Sequence, residues 1–438
     1  MAPEATLSRV EAPAAPVTYE AVPDQPAWPI SALVRIRTFE AFRFREFRYL
    51  WLSQLGTAVG YWMDQVTRGW LMYDLTGSAL QLGLVTAVQV LPLLLLSPIA
   101  GTAADRFGRK RQAVVAQSLA VLPIAALAVL VFAGLVAPWH LYVAGLFLSI
   151  TQVMQNPARA SMLPDAVDRS HITNAVGLHS IAFNSSRTIG PALAGGLIAL
   201  FGAGNAYVVQ CIMAGLTAFW TMQVRLPDRG AANGKAHERS FLGSIVAGWQ
   251  YMLQHPTIRT VMLLSLLAQF FGMSFTTLLP VFARDVLDVG AAGQGLLLTG
   301  QGVGALGSAL LLASFGDKLP KGKLMVAGMT LYGLLELAFS QSPWLVVSVV
   351  LMTALGVCHL SANALVQSVV QMHAAPEMRG RVMAAFQQKE LSLVLGGLMA
   401  GAAGAALGAP LTVALMGAAC VLCVLTIVVT MPHIRDVR

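Results

Sequence analysis

The feature that most constrains this chain is a series of about twelve long apolar runs, at roughly 48–72, 79–101, 112–135, 139–161, 174–201, 205–224, 258–283, 293–315, 324–341, 343–367, 382–408 and 410–431. Each approaches the about 20 residues that a helix needs to cross a hydrocarbon layer. Outer-membrane strands would alternate apolar and polar residues over about ten positions, and these runs do not. Charged residues are 11% of the 438, against about 25% in soluble proteins, and mean hydropathy is +0.69. So few charges cannot cover so much apolar surface in water. The same balance excludes disorder for most of the chain, and four cysteines exclude a disulfide scaffold. The expectation is an all-α membrane protein of twelve transmembrane helices.

The net charge of +8 raises nucleic acid as a partner, but its placement points elsewhere. Arg35, Arg37, Arg43, Arg45 and Arg48 precede the first run. Arg106, Arg109, Lys110 and Arg111 follow the second, and Arg169 follows the fourth with Arg159 at its edge. Arg225, Arg229, Lys235 and Arg239 lie between the sixth and seventh. Lys318, Lys321 and Lys323 follow the eighth, Arg379 and Arg381 the tenth, and Arg435 and Arg438 the last. The alternate connections 74–79, 134–139, 202–205, 341–344 and 408–410 hold no Lys or Arg, and only Arg284 breaks the pattern. This is the positive-inside distribution. It places both termini in the cytoplasm, requires an even number of crossings, and assigns the basic loops to topology and anionic lipid, with no nucleic acid as partner.

Residues 1–35 read as a disordered cytoplasmic tail, with six prolines within the first thirty residues and no apolar run or secretory signal. Arginines and phenylalanines interleave over 36–48, as in a short helix at the inner interface. Residues 225–257 form a polar central loop. It divides the chain into a lobe at 36–224 and a lobe at 258–431, with a cytoplasmic tail at 432–438. The halves match in places. Gly101-x-x-x-Asp105-Arg106-x-Gly108-Arg109-Lys110 has a weaker counterpart in Gly316-Asp317-Lys318-x-x-Lys321-Gly322-Lys323, and Pro164-Asp165 one in Pro376-Glu377. Such duplication marks two pseudo-symmetric six-helix bundles with a substrate path between them.

The loop from Gly101 to Lys110 resembles the signature loop of the major facilitator superfamily. Arg187-Thr-Ile-Gly190-Pro191-Ala-Leu-Ala-Gly195-Gly196 is similar to the Gly-Pro motif of its antiporters. The stretches 70–78 and Pro376-Glu377-Met-Arg379-Gly380-Arg381-Val382 resemble the branch holding the enterobactin exporter and macrolide efflux proteins. The resemblance covers roughly residues 40–430, and the second signature loop departs from it by lacking the Asp-Arg pair. It implies alternating access and proton-coupled export of a small amphipathic molecule, siderophore or drug-like, by a monomer in a bacterial inner membrane. Spans 1, 4, 7 and 10 would line the path.

Ionisable residues within apolar runs cost several kcal/mol unless paired or wet. Those here are Asp64, Arg68, Arg187, Glu336, Lys389 and Glu390. Asp64 and Arg68 are four apart and share a helix face. Asp64 is the first proton carrier to consider, with Glu390 and Glu336 behind it, and Arg187 is a partner for an acid or an anionic cargo. Lys389, nearer the inner end, is expected to snorkel, and all six can equally be static pairs. Asp105 and Arg106 would form an inner latch, the acid at helix N–H groups and the arginine bridging to the next helix. Gly190 and Pro191 would form a hinge or packing surface, with Gly195 and Gly196 allowing close helix contact. Gln65, Gln155, Asn184, Gln269 and Asn363 are possible path residues, though more often such groups bond helix to helix.

Gly302-x-Gly304-x-x-Gly307 fits a dinucleotide pattern but lies inside an apolar run, where helix packing explains it. Cys420 and Cys423 have no His or acid nearby, so neither metal nor cofactor is expected. No Walker loop is present, so ATP is not expected to drive the protein directly, and no nucleophile–base set is present, which argues against an enzyme. Import of a small metabolite and a non-transporting receptor or assembly role remain as alternatives.

Overall fold

The computed structural model describes residues 37–226, 241–315, 320–431 and 434. The expected tail at 1–35, the basic residues Arg229, Lys235 and Arg239, the second signature loop at Gly316, Asp317 and Lys318, and most of 432–438 lie outside the described residues, as does the side chain of Asp105. What is described is helical, without a strand. In chain order the helices are α1 (Arg45–Thr76), α2 (Ala79–Val88), α3 (Val90–Phe107), α4 (Arg109–Phe132), α5 (Pro138–Met162), α6 (Ile172–Phe201), α7 (Ala203–Gln223) and α8 (Phe241–Gln254). They continue as α9 (Pro256–Leu267), α10 (Leu279–Val281), α11 (Gly290–Phe315), α12 (Lys321–Ser340), α13 (Leu345–His373), α14 (Arg379–Phe386), α15 (Lys389–Leu407) and α16 (Ala409–Thr430).

Among the described residues, eight helical stretches are long and apolar enough to cross a membrane. The other long helices are α1, α5, α6 and α7, of 32, 25, 30 and 21 residues. They match that length, and their sequences carry polar side chains such as Asp64, Gln155, Arg187 and Gln210.

Three expected runs are not continuous helices. The second breaks at Gln89. Pro92 lacks an N–H and its ring crowds the carbonyl four residues earlier, that of Val88, so the ladder loses a bond there. The seventh passes from α9 into a π turn, Ala268–Gly272, then a 3-10 turn, Met273–Leu278, ahead of Pro280 in α10. The eleventh breaks at Gln387 and Gln388 with no proline involved. Tight connections use left-handed glycines, as at Gly77 (φ 59°), whose N–H bonds to the Tyr73 carbonyl, and at Gly108 (φ 86°).

The two halves of the chain meet along two helix pairs, α2 on α15 and α6 on α11. Glycines make both approaches possible. A Cβ on Gly195 would lie 2.9 Å from the Gly295 Cα, and one on Gly83 would lie 2.9 Å from the Gly397 carbonyl oxygen. Within the second half, Gly304 allows α11 to touch α13, where a Cβ would come within 1.9 Å of the Thr353 oxygen. Helices that gain little from the hydrophobic effect inside lipid associate through such close packing. Gly195 and Gly196 therefore differ from the expectation. Neighbouring residues point about 100° apart on a helix, so only Gly195 faces α11, and Gly196 has open space around it.

The hydrophobic core is asymmetric. Toward the end of the molecule carrying Gly77, Gly202 and Gly408, one buried cluster joins both halves, with Leu71, Met72 and Tyr207 against Phe275, Phe282 and Met352. A second cluster also crosses, through Met63, Ala194 and Ala291. Toward the end carrying Gly108 the core divides among the described residues. Phe47, Leu50, Met162 and Leu178 form one cluster within the first half, and Ile258, Val366, Val382 and Phe386 another within the second. Gly304→Ala should force α11 from α13 and cost about 1–3 kcal/mol. A lowered thermal midpoint of the purified protein would show it, and an unchanged one would mean that the two helices yield freely.

Candidate functional site

The candidate site is a set of buried polar groups inside the helices. On α1, Arg68 Nη2 donates to Asp64 Oδ2. Asp64 is 6% and Arg68 3% exposed. The pair exists because the helix puts i and i+4 on one face, and Gly145 on α5 leaves the space that the guanidinium fills. It is incompletely bonded, since Asp64 Oδ1 and Arg68 Nη1 have no partner. Asp64 borders a cavity of about 90 Å³ between α1, α4, α5 and α7, lined with Tyr61, Gln117, Gln152, Gln155 and Gln210. Gln65, one residue on, lies near the Tyr61 hydroxyl.

Arg187 lies where α6 meets both halves. It is 9% exposed, stacks over Trp62 at 5.4 Å, and reaches the Met273 sulfur at 3.9 Å. Gln301 approaches the same sulfur at 3.6 Å. Among the described residues no carboxylate pairs with Arg187.

In the second half the expectation for Lys389 is overturned. Lys389 does not snorkel. It is buried, donates to Asn363 Oδ1 and lies 4.4 Å from the centre of the Phe386 ring. Glu390 is exposed and accepts from Gln269 Nε2 at 3.5 Å. The break at Gln387 and Gln388 turns the first turn of α15 and sets which residue faces inward. Gln269 and Asn363 meet again at a smaller cavity of about 20 Å³ with Tyr332, His359 and Cys420. That is room for about one water. Glu336 is fully buried against α16 beside Gly417, with neither carboxyl oxygen bonded. Asn184 joins none of these groups and donates to the Ser180 carbonyl of its own helix. Among the described residues no group of His, Cys, Asp and Glu could hold a metal.

The signature loop is built differently from the expectation. Asp105 lies in the last turn of α3, at a helix C-terminus. Arg106 is exposed and turns over Phe107 at 5.8 Å. The bridging arginine is Arg109, which donates to Asp165 Oδ2 at 2.9 Å and to the Ser161 carbonyl at 3.0 Å. It ties the start of α4 to the end of α5. Gln112 reinforces that tie by donating to the carbonyls of Ala100 and Met154, both at 2.8 Å.

At the opposite end the exception to the charge pattern finds its reason. Arg284 donates to Asp74 at 3.0 Å and lies 5.8 Å from the Tyr73 ring centre, while the Tyr73 hydroxyl donates to Asp285. Both contacts join the first half to the second. Asp74 and Arg284 are about half exposed, so the ion pair contributes about 0–1 kcal/mol. Closure there rests chiefly on the shared apolar cluster and the glycine crossings.

Sequence reasoning missed Arg159. Counted as a loop charge, it is 7% exposed and donates to Gln54, Thr57 and Gln155. The available signal was Gln155 one turn before it on the same face. Arg68→Ala should destabilise the protein by about 3–5 kcal/mol by leaving Asp64 buried without its counter-charge. Arg68→Ala combined with Asp64→Ala should recover much of that loss in a thermal melt. Equal midpoints for the single variant and the wild type would show that the pair is energetically idle.

The family model for transmembrane secretion effectors matches residues 36–438. The chain is 26% identical over 373 residues to the staphyloferrin A transporter of Staphylococcus aureus, covering 84% of this chain and 92% of that one. It is 26% identical over 365 residues to the multidrug efflux pump Tap of Mycobacterium tuberculosis, covering 80% and 86%. A solved POT family transporter in complex with 5-aminolevulinic acid shares the fold, with a TM-score of 0.71 at 13% identity over 89% of this chain and 96% of that one. The family and these relatives are transporters and not enzymes. The chain, a multi-pass membrane protein, belongs to the transmembrane secretion effector family, in the efflux branch of the major facilitator superfamily.

Proposed function

We propose that the protein is a monomeric secondary transporter that exports a small amphipathic molecule from the cytoplasm by alternating access, driven by protons. The observation that carries this reading is the asymmetric core. The halves share apolar clusters at the end bearing Gly77 and have separate ones at the end bearing Gly108. The basic residues Arg106, Arg109, Lys110 and Arg111 lie at the Gly108 end, which the positive-inside rule assigns to the cytoplasm of a bacterial inner membrane. In this reading twelve crossings form two six-helix lobes with cytoplasmic termini, closed outside and parted inside. A polar stripe on α13, Gln367, Ser368 and Gln371, lines an open space of about 460 Å³ near Arg379 and supports a wet inner vestibule. The named activities of the relatives, siderophore transport and multidrug efflux, support export without choosing a cargo.

Asp64 is the proton site in this mechanism. Ionised, it balances Arg68. Protonated, it leaves Arg68 as an uncompensated charge beside the cavity. The two protonation states then favour different arrangements of the helices around α1, which is the differential affinity that coupling requires. One charge moving through 100 mV supplies about 2.3 kcal/mol, roughly fifty-fold accumulation. The Arg109–Asp165 tie, with Gln112, would hold the inner ends of α3, α4 and α5 together as the lobes rock.

Metabolites retained by a deletion strain would supply the cargo for inside-out vesicles with an imposed pH gradient. Asp64→Asn should abolish gradient-driven accumulation while leaving exchange of cargo across the membrane without a gradient. Wild-type accumulation by that variant would remove Asp64 from the mechanism, and accumulation insensitive to the gradient in the wild type would remove proton coupling.

A further inference from the structure

Arg159 is a buried cation without a buried anion. Its Nη1 donates to Gln54 Oε1, and its Nη2 donates to Thr57 Oγ1 at 3.1 Å and to Gln155 Oε1. In the orientation that satisfies both ends of its amide, Gln117 presents its oxygen to the same Nη2 at 3.2 Å. The Nε has no partner. No carboxylate pairs with the guanidinium among the described residues. His179 of α6 lies within electrostatic range of it, and its Nε2 is also unbonded. A charge held away from water is ordinarily paired with its opposite. Here the chain surrounds one with neutral amides and a hydroxyl instead.

Those particular groups matter. An amide side chain can accept through its oxygen or donate through its NH2, so Gln54, Gln117 and Gln155 can turn from facing a guanidinium to facing an anion. Thr57 can donate its hydroxyl in the same way. A Glu or Asp in their place would neutralise Arg159 permanently. Thr57, Gln117 and Gln155 line the cavity that reaches Asp64, whose remaining wall includes the apolar Ile124, Leu148 and Ala214. The arrangement is a planar two-pronged donor behind the Thr57, Gln117 and Gln155 wall of a chamber with a polar side and an apolar side.

We propose that Arg159, with Gln54, Thr57, Gln117 and Gln155, is a binding site for the carboxylate of a small organic acid with an apolar body, which makes amphipathic organic acids the cargo class of this transporter. The guanidinium takes the carboxylate in place of the amide oxygens, the amides and Thr57 turn to donate to it, and the apolar part of the molecule lies along α4, α5 and α7. The assignment of cargo class rests on the transport reading above, whereas binding itself does not.

The test therefore measures binding without transport. The purified full chain, in nanodiscs of zwitterionic phosphatidylcholine so that no anionic headgroup competes, is titrated with 4-nitrobenzoate and with its uncharged isostere 4-nitrobenzamide. Binding is read as the rise in thermal midpoint and as a dissociation constant. The wild type should bind the carboxylate at least about tenfold more tightly than the amide, the scale of one charge-assisted hydrogen bond. Arg159→Gln should erase that preference. Should that variant fail to fold, Gln155→Glu serves instead, because it places a carboxylate one helical turn from Arg159 and occupies the site from within. That variant should keep or raise the ligand-free midpoint and lose the preference. Equal binding of the two probes by the wild type, or a full preference retained by Arg159→Gln or Gln155→Glu, would overturn the proposal. Either result would leave the vesicle measurement of export unaffected, so the two readings fail separately.

Discussion

Placing an ion in hydrocarbon costs several kcal/mol unless it is paired, bonded or wet, and this chain sequesters Asp64, Arg68, Arg159, Arg187, Glu336 and Lys389. Much of the interior follows from how that cost is met. Asp64 meets Arg68 on one helix face, Lys389 meets Asn363, and Arg159 is surrounded by neutral oxygens. Arg187 rests on an aromatic ring and a thioether. Among the described residues no salt bridge joins the two halves of the chain at the level of the cavities, so no ion pair pins them there. They are joined instead by packing toward one end, through glycine crossings and shared apolar clusters.

That division of labour suits a protein that moves. A contact made of glycine backbones and apolar side chains can separate without stranding a buried ion, whereas a buried ion pair across the interface could not part so cheaply. Among the described residues the one ion pair that crosses the halves, Arg284 with Asp74, sits half in solvent, where its two charges remain hydrated when apart. Other tight polar ties lie within a half, as with Arg109 to Asp165 and Gln112 to the carbonyls of Ala100 and Met154.

The helical class, the basic end and the family were legible in the sequence because each depends on composition, sign or spacing along the chain. The break at Gln89 was legible in principle from Pro92, but the apolar run masked it. The break at Gln387 and Gln388 carries no such residue, and with it the burial of Lys389 was lost, since a slip in helical phase changes which neighbour faces the interior. Arg284 looked like a lapse in the charge pattern because its partner, Asp74, lies 210 positions away. Arg159 was hidden by the strength of the same rule: a basic residue at the edge of a basic loop has a sufficient explanation already, and only packing reveals the amides around it. Arg109 rather than Arg106 makes the inner bridge because α3 ends between them, at Phe107 and Gly108, a boundary that the motif does not mark.

The central claim is that the two halves rock about a contact that closes one end while the other parts. Spin labels at Leu75 and Asp288, near the Gly77 end, and at Arg111 and Lys323, near the Gly108 end, would report the two separations by pulsed electron resonance. The account predicts that as pH is changed through the titration of the coupling site, the first distance lengthens in a growing subpopulation while the second shortens. Distances that stay fixed together, or that lengthen together, would contradict it.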